Sequence, residues 1–211
     1  MYQLFYYPRN ASWAPHMLLK ELGVDFELVL IDRKSEEQKS QKYLELNPTG
    51  RIPTLIDGDA VIFESAAICM HLCDSHPEGE LVPKVNIERT EFFQWLFYLV
   101  TAIQPEMMLY FYPEKHVAQG ACAKSIVRSQ EQRVTEMFSL IDSRLANSSY
   151  LAGSKITVCD FFLFMLSHWA SGFTVAPLSF KHLGAHLRKL TNRPSIIAAC
   201  ETEGTSLEAY R

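Results

Sequence analysis

Asn47-Pro48-Thr49-Gly50-Arg51-Ile52-Pro53-Thr54-Leu55-Ile56-Asp57-Gly58-Asp59-Ala60-Val61-Ile62-Phe63-Glu64-Ser65 is the stretch from which the fold follows. Two Pro/Gly punctuators lead into an apolar run, Asp57-Gly58 marks a tight hairpin, a second strand follows, and Ser65 stands where a helix cap is needed. A proline just before a strand is a place where a cis X–Pro turn is tolerated. Such a turn leaves the Ile52 N–H and C=O available to an extended peptide, which pairs with them as an added strand does. The helix start at Ser65 offers unpaired N–H groups and a positive dipole end, which suit a carboxylate. Together these features make a site for a short anionic peptide.

Upstream of this stretch, strand and helix signals alternate. Gln3 to Tyr7 is a short β-like run. Pro15 sits where a first helical turn accepts proline, Met17 to Leu22 is apolar on one face, and Gly23 supplies a stop. Glu27 to Ile31 reads as a second strand, and a polar helix over Ser35 to Leu46 leads into the hairpin Thr54 to Phe63. A further helix, Ser65 to Ser75, closes the unit. The order βαβ, helix, ββα, with a right-handed crossover and then an antiparallel hairpin, is thioredoxin-like.

Downstream, His76 to Pro83 is rich in chain breakers, and everything beyond it reads as helix. Candidate helices run from Asn86 to Tyr112, Ala121 to Leu145, Val158 to Gly172, Ser179 to Leu190 and Pro194 to Glu203. Thr157 and Asp160 have capping-box spacing, with Asp in place of the usual Glu or Gln. The expected fold is an α/β thioredoxin-like domain over residues 1–77, a linker over 78–86, and an all-α helical-bundle domain over 87–211.

The chain has 211 residues, and its 48% hydrophobic content is enough for a well-buried core. A net charge of −4 argues against a duplex nucleic-acid partner, which calls for a basic face. No apolar run approaches the roughly 20 residues of a membrane helix, and the N-terminus lacks a basic leader, so no membrane association is expected. The five cysteines, Cys69, Cys73, Cys122, Cys159 and Cys200, form no C-x-x-C pair. Their odd number fits a reducing, cytoplasmic setting. Cys69 and Cys73, near His71 and His76, could be entertained as metal ligands, but the spacing is not that of zinc; buried reduced thiols are the expected reading, with no metal site.

Residues 47 to 65 closely resemble the glutathione-binding signature of the cytosolic glutathione transferases, and residues 153 to 160 resemble the start of the central helix in that family's all-α domain. The pattern is nearest to bacterial beta-like or other serine- or cysteine-type classes. The resemblance implies a glutathione transferase architecture and an enzyme of detoxification that directs the glutathione thiolate onto an apolar electrophile. It also implies glutathione as co-substrate with no tightly bound cofactor, and a homodimer. Glu64 and Ser65 correspond to the pair that holds the γ-glutamyl end, with the Ser65 hydroxyl and N–H donating to a carboxylate and Glu64 accepting from an ammonium. The competing reading makes Ser65 a plain N-cap and Glu64 a solvated neighbour. Ile52 and Pro53 complete the turn. Lys34 is either the partner of the glycine carboxylate or a surface lysine.

The thiol-facing group belongs to the loop Tyr6-Tyr7-Pro8-Arg9-Asn10-Ala11-Ser12-Trp13-Ala14-Pro15-His16. Ser12 is the first candidate and Asn10, through its amide, the second; Ser12 could equally be an N-cap alone. Where beta-class relatives place a cysteine this chain has Ala11, which removes mixed-disulfide and thioredoxin chemistry. Tyr6 stands where tyrosine-type classes place their donor, but a core role is expected. Lowering a thiol pKa by about two units requires about 2.7 kcal/mol of preferential thiolate stabilisation. Among the apolar residues Trp13, Met107, Met108, Tyr110, Phe111, Tyr112 and Trp169, an electrophile pocket is expected from Trp13, Met108, Phe111 and Tyr112. The helix carrying Phe92, Phe93, Trp95 and Leu96 either buries surface between subunits or lies in the core of one chain. Two further functions stay open: a non-catalytic binding or scaffold protein on the same fold, and a glutathione-dependent isomerase or dehalogenase.

Overall fold

The computed structural model describes residues 1–84, 86–118 and 123–211. Cys122, the expected helix start at Ala121, and Val85 of the expected linker lie outside the described residues. Two compact units form, one from residues 1–82 with 191–211 and the other from residues 83–190.

In the first unit, β1 (Tyr2–Tyr6), α1 (Trp13–Leu22), β2 (Phe26–Leu30), α2 (Gln41–Leu46), β3 (Thr54–Asp57), β4 (Ala60–Phe63) and α3 (Ser65–Ser75) follow in order. The sheet runs β2-β1-β3-β4. β1 pairs in parallel with β2, while β3 is antiparallel to both β1 and β4. This is the thioredoxin-like arrangement. α1 ends at Gly23, whose φ of 66° is left-handed and whose N–H reaches Lys20 O, a conformation that glycine adopts without steric cost. Leu4 and Leu55 of the sheet, Met17, Leu18 and Leu19 of α1, and Ile68 of α3 are fully buried.

The expected polar helix over Ser35 to Leu46 is broken. Asp32 Oδ1 accepts the Lys34 N–H and starts a 3₁₀ turn over Arg33–Ser35, after which Glu36 turns to a φ of 58°. A second 3₁₀ turn covers Glu37–Lys39, and α2 begins only when the Ser40 hydroxyl caps it by accepting the Tyr43 N–H. Local side-chain to backbone bonds compete with helix here, and a polar segment has little packing to overrule them. The tail segment 191–211, read from the sequence as part of the helical domain, groups with the first unit. Its helix α9 (Pro194–Thr202) packs along α1, tied by Glu21 to Arg193 and to the Ser195 hydroxyl.

The second unit contains α4 (Asn86–Phe97), α5 (Gln104–Phe111), α6 (Lys124–Leu145), α7 (Val158–Trp169) and α8 (Lys181–Leu190). The expected single helix Asn86 to Tyr112 is interrupted by a π-helical stretch, Tyr98–Ile103, in which the Gln104 N–H reaches back to Leu99 O. Pro105 explains the interruption: it has no N–H to give, and its ring would collide with the carbonyl four residues back unless the preceding turn widened. Every residue of α7 from Val158 to Ser167 is buried, as befits a helix surrounded by others. Asp160 anchors its start, accepting the Thr157 N–H at 2.8 Å, the Leu151 N–H at 3.1 Å and a bond from His186 Nε2 at 2.9 Å. Phe92, Trp95 and Leu96 are buried within this one chain, so these three are intrachain core.

Candidate functional site

Register brings the expected binding residues of the first unit to one end of the sheet. Tyr6 pairs with Leu30, Phe5 with Thr54, and Thr54 with Phe63. The carboxyl ends of β1, β2 and β4 and the entry to β3 therefore lie together. From them lead the loop with Asn10 and Ser12, the turn with Lys34, the Ile52-Pro53 turn and the Glu64-Ser65 helix start. Ligands favour the ground beyond strand carboxyl ends, where loops and helix N-termini converge.

The Ile52-Pro53 peptide bond is cis. The turn around it is held by two buried residues that the motif reading passed over. Tyr43 donates its hydroxyl to Arg51 O at 2.8 Å and lies 2.9 Å from Thr54 Oγ1. Asn47, 1% exposed, donates its amide to Arg51 O at 2.8 Å and to Thr54 Oγ1 at 3.1 Å, while its Oδ1 accepts from the Thr49 N–H and hydroxyl. The spacing Asn47-Pro48-Thr49-Gly50 carried this signal, since Asn closes such turns by bonding two residues on. The Ile52 side chain packs with Ile31 and Tyr43, with Phe5 and Tyr7 alongside. Among the described residues, no hydrogen bond engages the Ile52 N–H or C=O.

Glu64 precedes α3 at a φ of 71°, a left-handed conformation that is unusual for a residue with a Cβ. It is exposed. Ser65 is the first helical residue, not the cap, and its buried hydroxyl donates to Ala11 O at 2.8 Å. Its proton is thus already given to the loop. The N–H groups of Ser65, Ala66 and Ala67 have no partner among the described residues, the first engaged one being Ile68 N–H to Glu64 O. Unpartnered N–H groups at a helix start suit an anion. Lys34 is exposed on its 3₁₀ turn.

In the thiol loop the two candidates differ. Ser12 is fully buried, donates its hydroxyl to Tyr7 O at 3.2 Å, and accepts the Tyr7 N–H at 3.4 Å. It makes no cap bond to α1. Asn10 is half-buried and its Oδ1 accepts the Ala11 N–H at 2.8 Å, while its amide nitrogen has no partner among the described residues. Tyr6 is half-buried, and burial, then the nearby Glu203, pushes its hydroxyl above the ordinary phenol range. Arg9 lies between Tyr7 and Asn10 with φ 58°, and Glu203 Oε2 accepts its N–H at 2.6 Å.

Of the expected electrophile-site residues, Trp13 has no exposed surface in the first unit. Met108 and Tyr112 are half-buried and Phe111 is 40% exposed at the end of α5 in the second unit, with the Trp169 ring edge-on to Phe111 at 6.4 Å. A separate open groove of about 260 Å³ in the second unit is lined by Trp95, Phe97, Tyr98, Thr101 and Leu140 and includes none of them. Cys69, Cys73, Cys159 and Cys200 are buried free thiols. Burial pushes Cys73 and Cys200 up to about 12 and raises Cys69 and Cys159 as well, so these four are poor nucleophiles.

Residues 2–74 match the glutathione S-transferase N-terminal domain, and residues 98–194 match the C-terminal domain. Glutathione S-transferase GstA of Escherichia coli O157:H7 is 29% identical over 205 residues, covering 96% of this chain and 98% of its own. Glutathione S-transferase F10 of Arabidopsis thaliana is 30% identical over 173 residues, 78% of this chain and 77% of its own. Among solved structures, a glutathione S-transferase from Xylella fastidiosa has a TM-score of 0.89 at 25% identity, covering 98% of this chain and 100% of that one. The chain belongs to the glutathione S-transferase family and acts as a glutathione transferase. No helix among the described residues is long and apolar enough to cross a membrane.

Proposed function

We propose that the protein binds glutathione across the carboxyl end of its sheet and ionises the thiol there for attack on an apolar electrophile. One observation carries this reading: the unengaged Ile52 N–H and C=O lie at the same sheet end as the open N–H groups of Ser65 and Ala66. An extended tripeptide pairs its backbone with Ile52 and sets its γ-glutamyl carboxylate on the helix start, with the Glu64 carboxylate accepting from the ammonium. Lys34 follows β2 at this end and meets the glycine carboxylate.

The thiol-facing donor is assigned to Asn10. Its amide protons have no partner among the described residues, whereas the one proton of the buried Ser12 hydroxyl is taken by Tyr7 O. An amide donor near the N-terminus of α1 favours thiolate over thiol. Met108, Phe111 and Tyr112 supply adaptable apolar surface for the electrophile, and Trp13 supports the loop from within its core. The protein works in the cytoplasm as a homodimer, a reading supported by the burial of Cys69, Cys73, Cys159 and Cys200 as free thiols and by the exposed Phe97 and Leu140 of the second unit.

Calorimetric titration with glutathione and ultraviolet titration of the bound thiolate test the assignment. Asn10→Ala raises the pKa of the bound thiol by about one unit and lowers kcat about tenfold, while Ser12→Ala leaves that pKa within about 0.3 units. The reverse pattern returns the role to Ser12. Binding by the wild type with no shift in thiol pKa and no turnover would favour the scaffold alternative.

A further inference from the structure

Glu203, just beyond the end of α9, is 4% exposed, and both of its carboxylate oxygens point toward the thiol loop. Oε2 accepts the Arg9 N–H at 2.6 Å, and Oε1 lies 2.7 Å from His16 Nδ1. A carboxylate this deep in a protein is tolerated only when paired. The two partners bracket the loop: Arg9 stands immediately before Asn10, and His16 closes the first turn of α1, which the loop enters. The Glu203–His16 side-chain pair has no exposed surface at all.

Two details mark this as more than a brace between helices. Arg9 holds a left-handed φ of 58°, a conformation that persists in a residue with a Cβ only where its surroundings over-determine it. That φ directs the chain into Asn10, whose N–H returns to Tyr7 O at 3.1 Å and whose C=O accepts the Trp13 N–H at 2.9 Å. His16, for its part, lies edge-on to the Tyr6 and Phe26 rings, and its Nε2 has no partner among the described residues. Glu203 is therefore the group that selects the Nδ1–H tautomer and orients the ring.

We propose that Glu203 is a positioning residue for thiol activation: by holding the Arg9 amide and the His16 ring, a residue 194 positions away sets the turn that aims Asn10 at the glutathione sulfur. This rests on the reading of the Asn10 loop as the thiol-facing element. The tripeptide itself is held by the Ile52 turn and by α3, whose bonds do not involve Glu203. Loss of Glu203 thus affects the chemistry more than the binding.

The experiment compares Glu203→Ala and Glu203→Gln with the wild type by glutathione titration, thiolate titration, steady-state kinetics and amide hydrogen exchange of residues 7–12. In Glu203→Ala, the glutathione Kd stays within about threefold, kcat falls at least about tenfold, the bound thiol pKa rises, and exchange in the loop accelerates. Glu203→Gln restores kcat to within about threefold, because its carbonyl still accepts the Arg9 N–H that sets the turn, while its amide keeps the His16 ring in place by donating to Nδ1 of the opposite, Nε2–H, tautomer. A Glu203→Ala protein that melts earlier but keeps wild-type kcat, thiol pKa and loop exchange overturns the proposal and leaves a plain structural brace. If Glu203→Ala does not fold, Glu203→Asp, one methylene shorter, is read by the same criteria. Should the wild type fail to lower the thiol pKa, the assignment of thiol activation falls, and loop exchange in the variants alone decides whether Glu203 sets the loop.

Discussion

The turn at residues 47–54 and the loop at residues 7–12 lie at the same end of one sheet, and both carry backbone or amide groups without a partner among the described residues. They are built in opposite ways. The turn is held from inside itself: Asn47 and Tyr43 reach Arg51 and Thr54, at most 11 residues along the chain. The loop is held partly from outside, its Ala11 carbonyl taken by Ser65, 54 residues on, and its Arg9 amide by Glu203, 194 residues on. A locally closed turn keeps its shape whenever its own residues are present. A remotely pinned loop takes its shape from the completed fold, and its chemistry is exposed to changes far along the chain.

The sharpest way to break this contrast is Asn47→Ala. It takes a bond from the buried Thr54 Oγ1 and another from the Arg51 carbonyl, so a loss of about 2–4 kcal/mol in unfolding free energy is expected from urea denaturation. Amide exchange of residues 7–12 should stay at the wild-type rate in conditions where the variant remains folded. A loss below about 1 kcal/mol, or a loop that loosens with the turn, removes the distinction between local and remote construction.

A smaller effect is expected from Ser65→Ala, which cuts the tie between α3 and the loop while leaving the helix N–H groups in place. Calorimetry should show glutathione binding weakened by about 1–2 kcal/mol, with a thiol pKa shift accompanying it because Ala11 is freed beside Asn10. Unchanged affinity would count against any role of that tie. The mildest test concerns the helix behind the site, α3, which carries Cys73 with its thiol pushed from 9.0 up to about 12 by burial. Its unfolded form ionises first, so the stability it contributes is complete below pH 9.0 and is lost as pH rises toward 12. Half a pH unit above the ordinary value, the loss attributable to this thiol is about 0.8 kcal/mol, and Cys73→Ala should flatten the alkaline limb of the stability curve by that amount. Equal alkaline limbs in the two proteins would show that the thiol already meets water.

The residues that could be read correctly from the chain were those whose cause is local. Gly23 stops α1 because only the left-handed conformation ends that helix there, and Asp57-Gly58 turns the hairpin for a comparable reason. The polar stretch 35–46 misled because Asp32 and Ser40, each capping its own neighbours, divide a segment whose composition suits a helix. The long helix misread at 98–103 had its sign in Pro105, which locates the π stretch once its collision with the preceding turn is considered.

By itself the sequence determined the strand order signals, the hairpin, the proline turn and the helix start, since periodicity, turn residues and capping act over a few positions and are written next to one another. Tertiary structure alone decided where the protons of the site go. Ser12 and Ser65 each carry a hydroxyl suited to a ligand, and in the folded chain both donate inward, to Tyr7 and Ala11. The Asn10 amide nitrogen has no partner among the described residues, and Glu203 is joined to the loop only because α9 packs back on α1. A hydroxyl has a single proton to give, and for Ser65 and Glu203 the partner depends on distances that the fold creates between residues far apart in the chain.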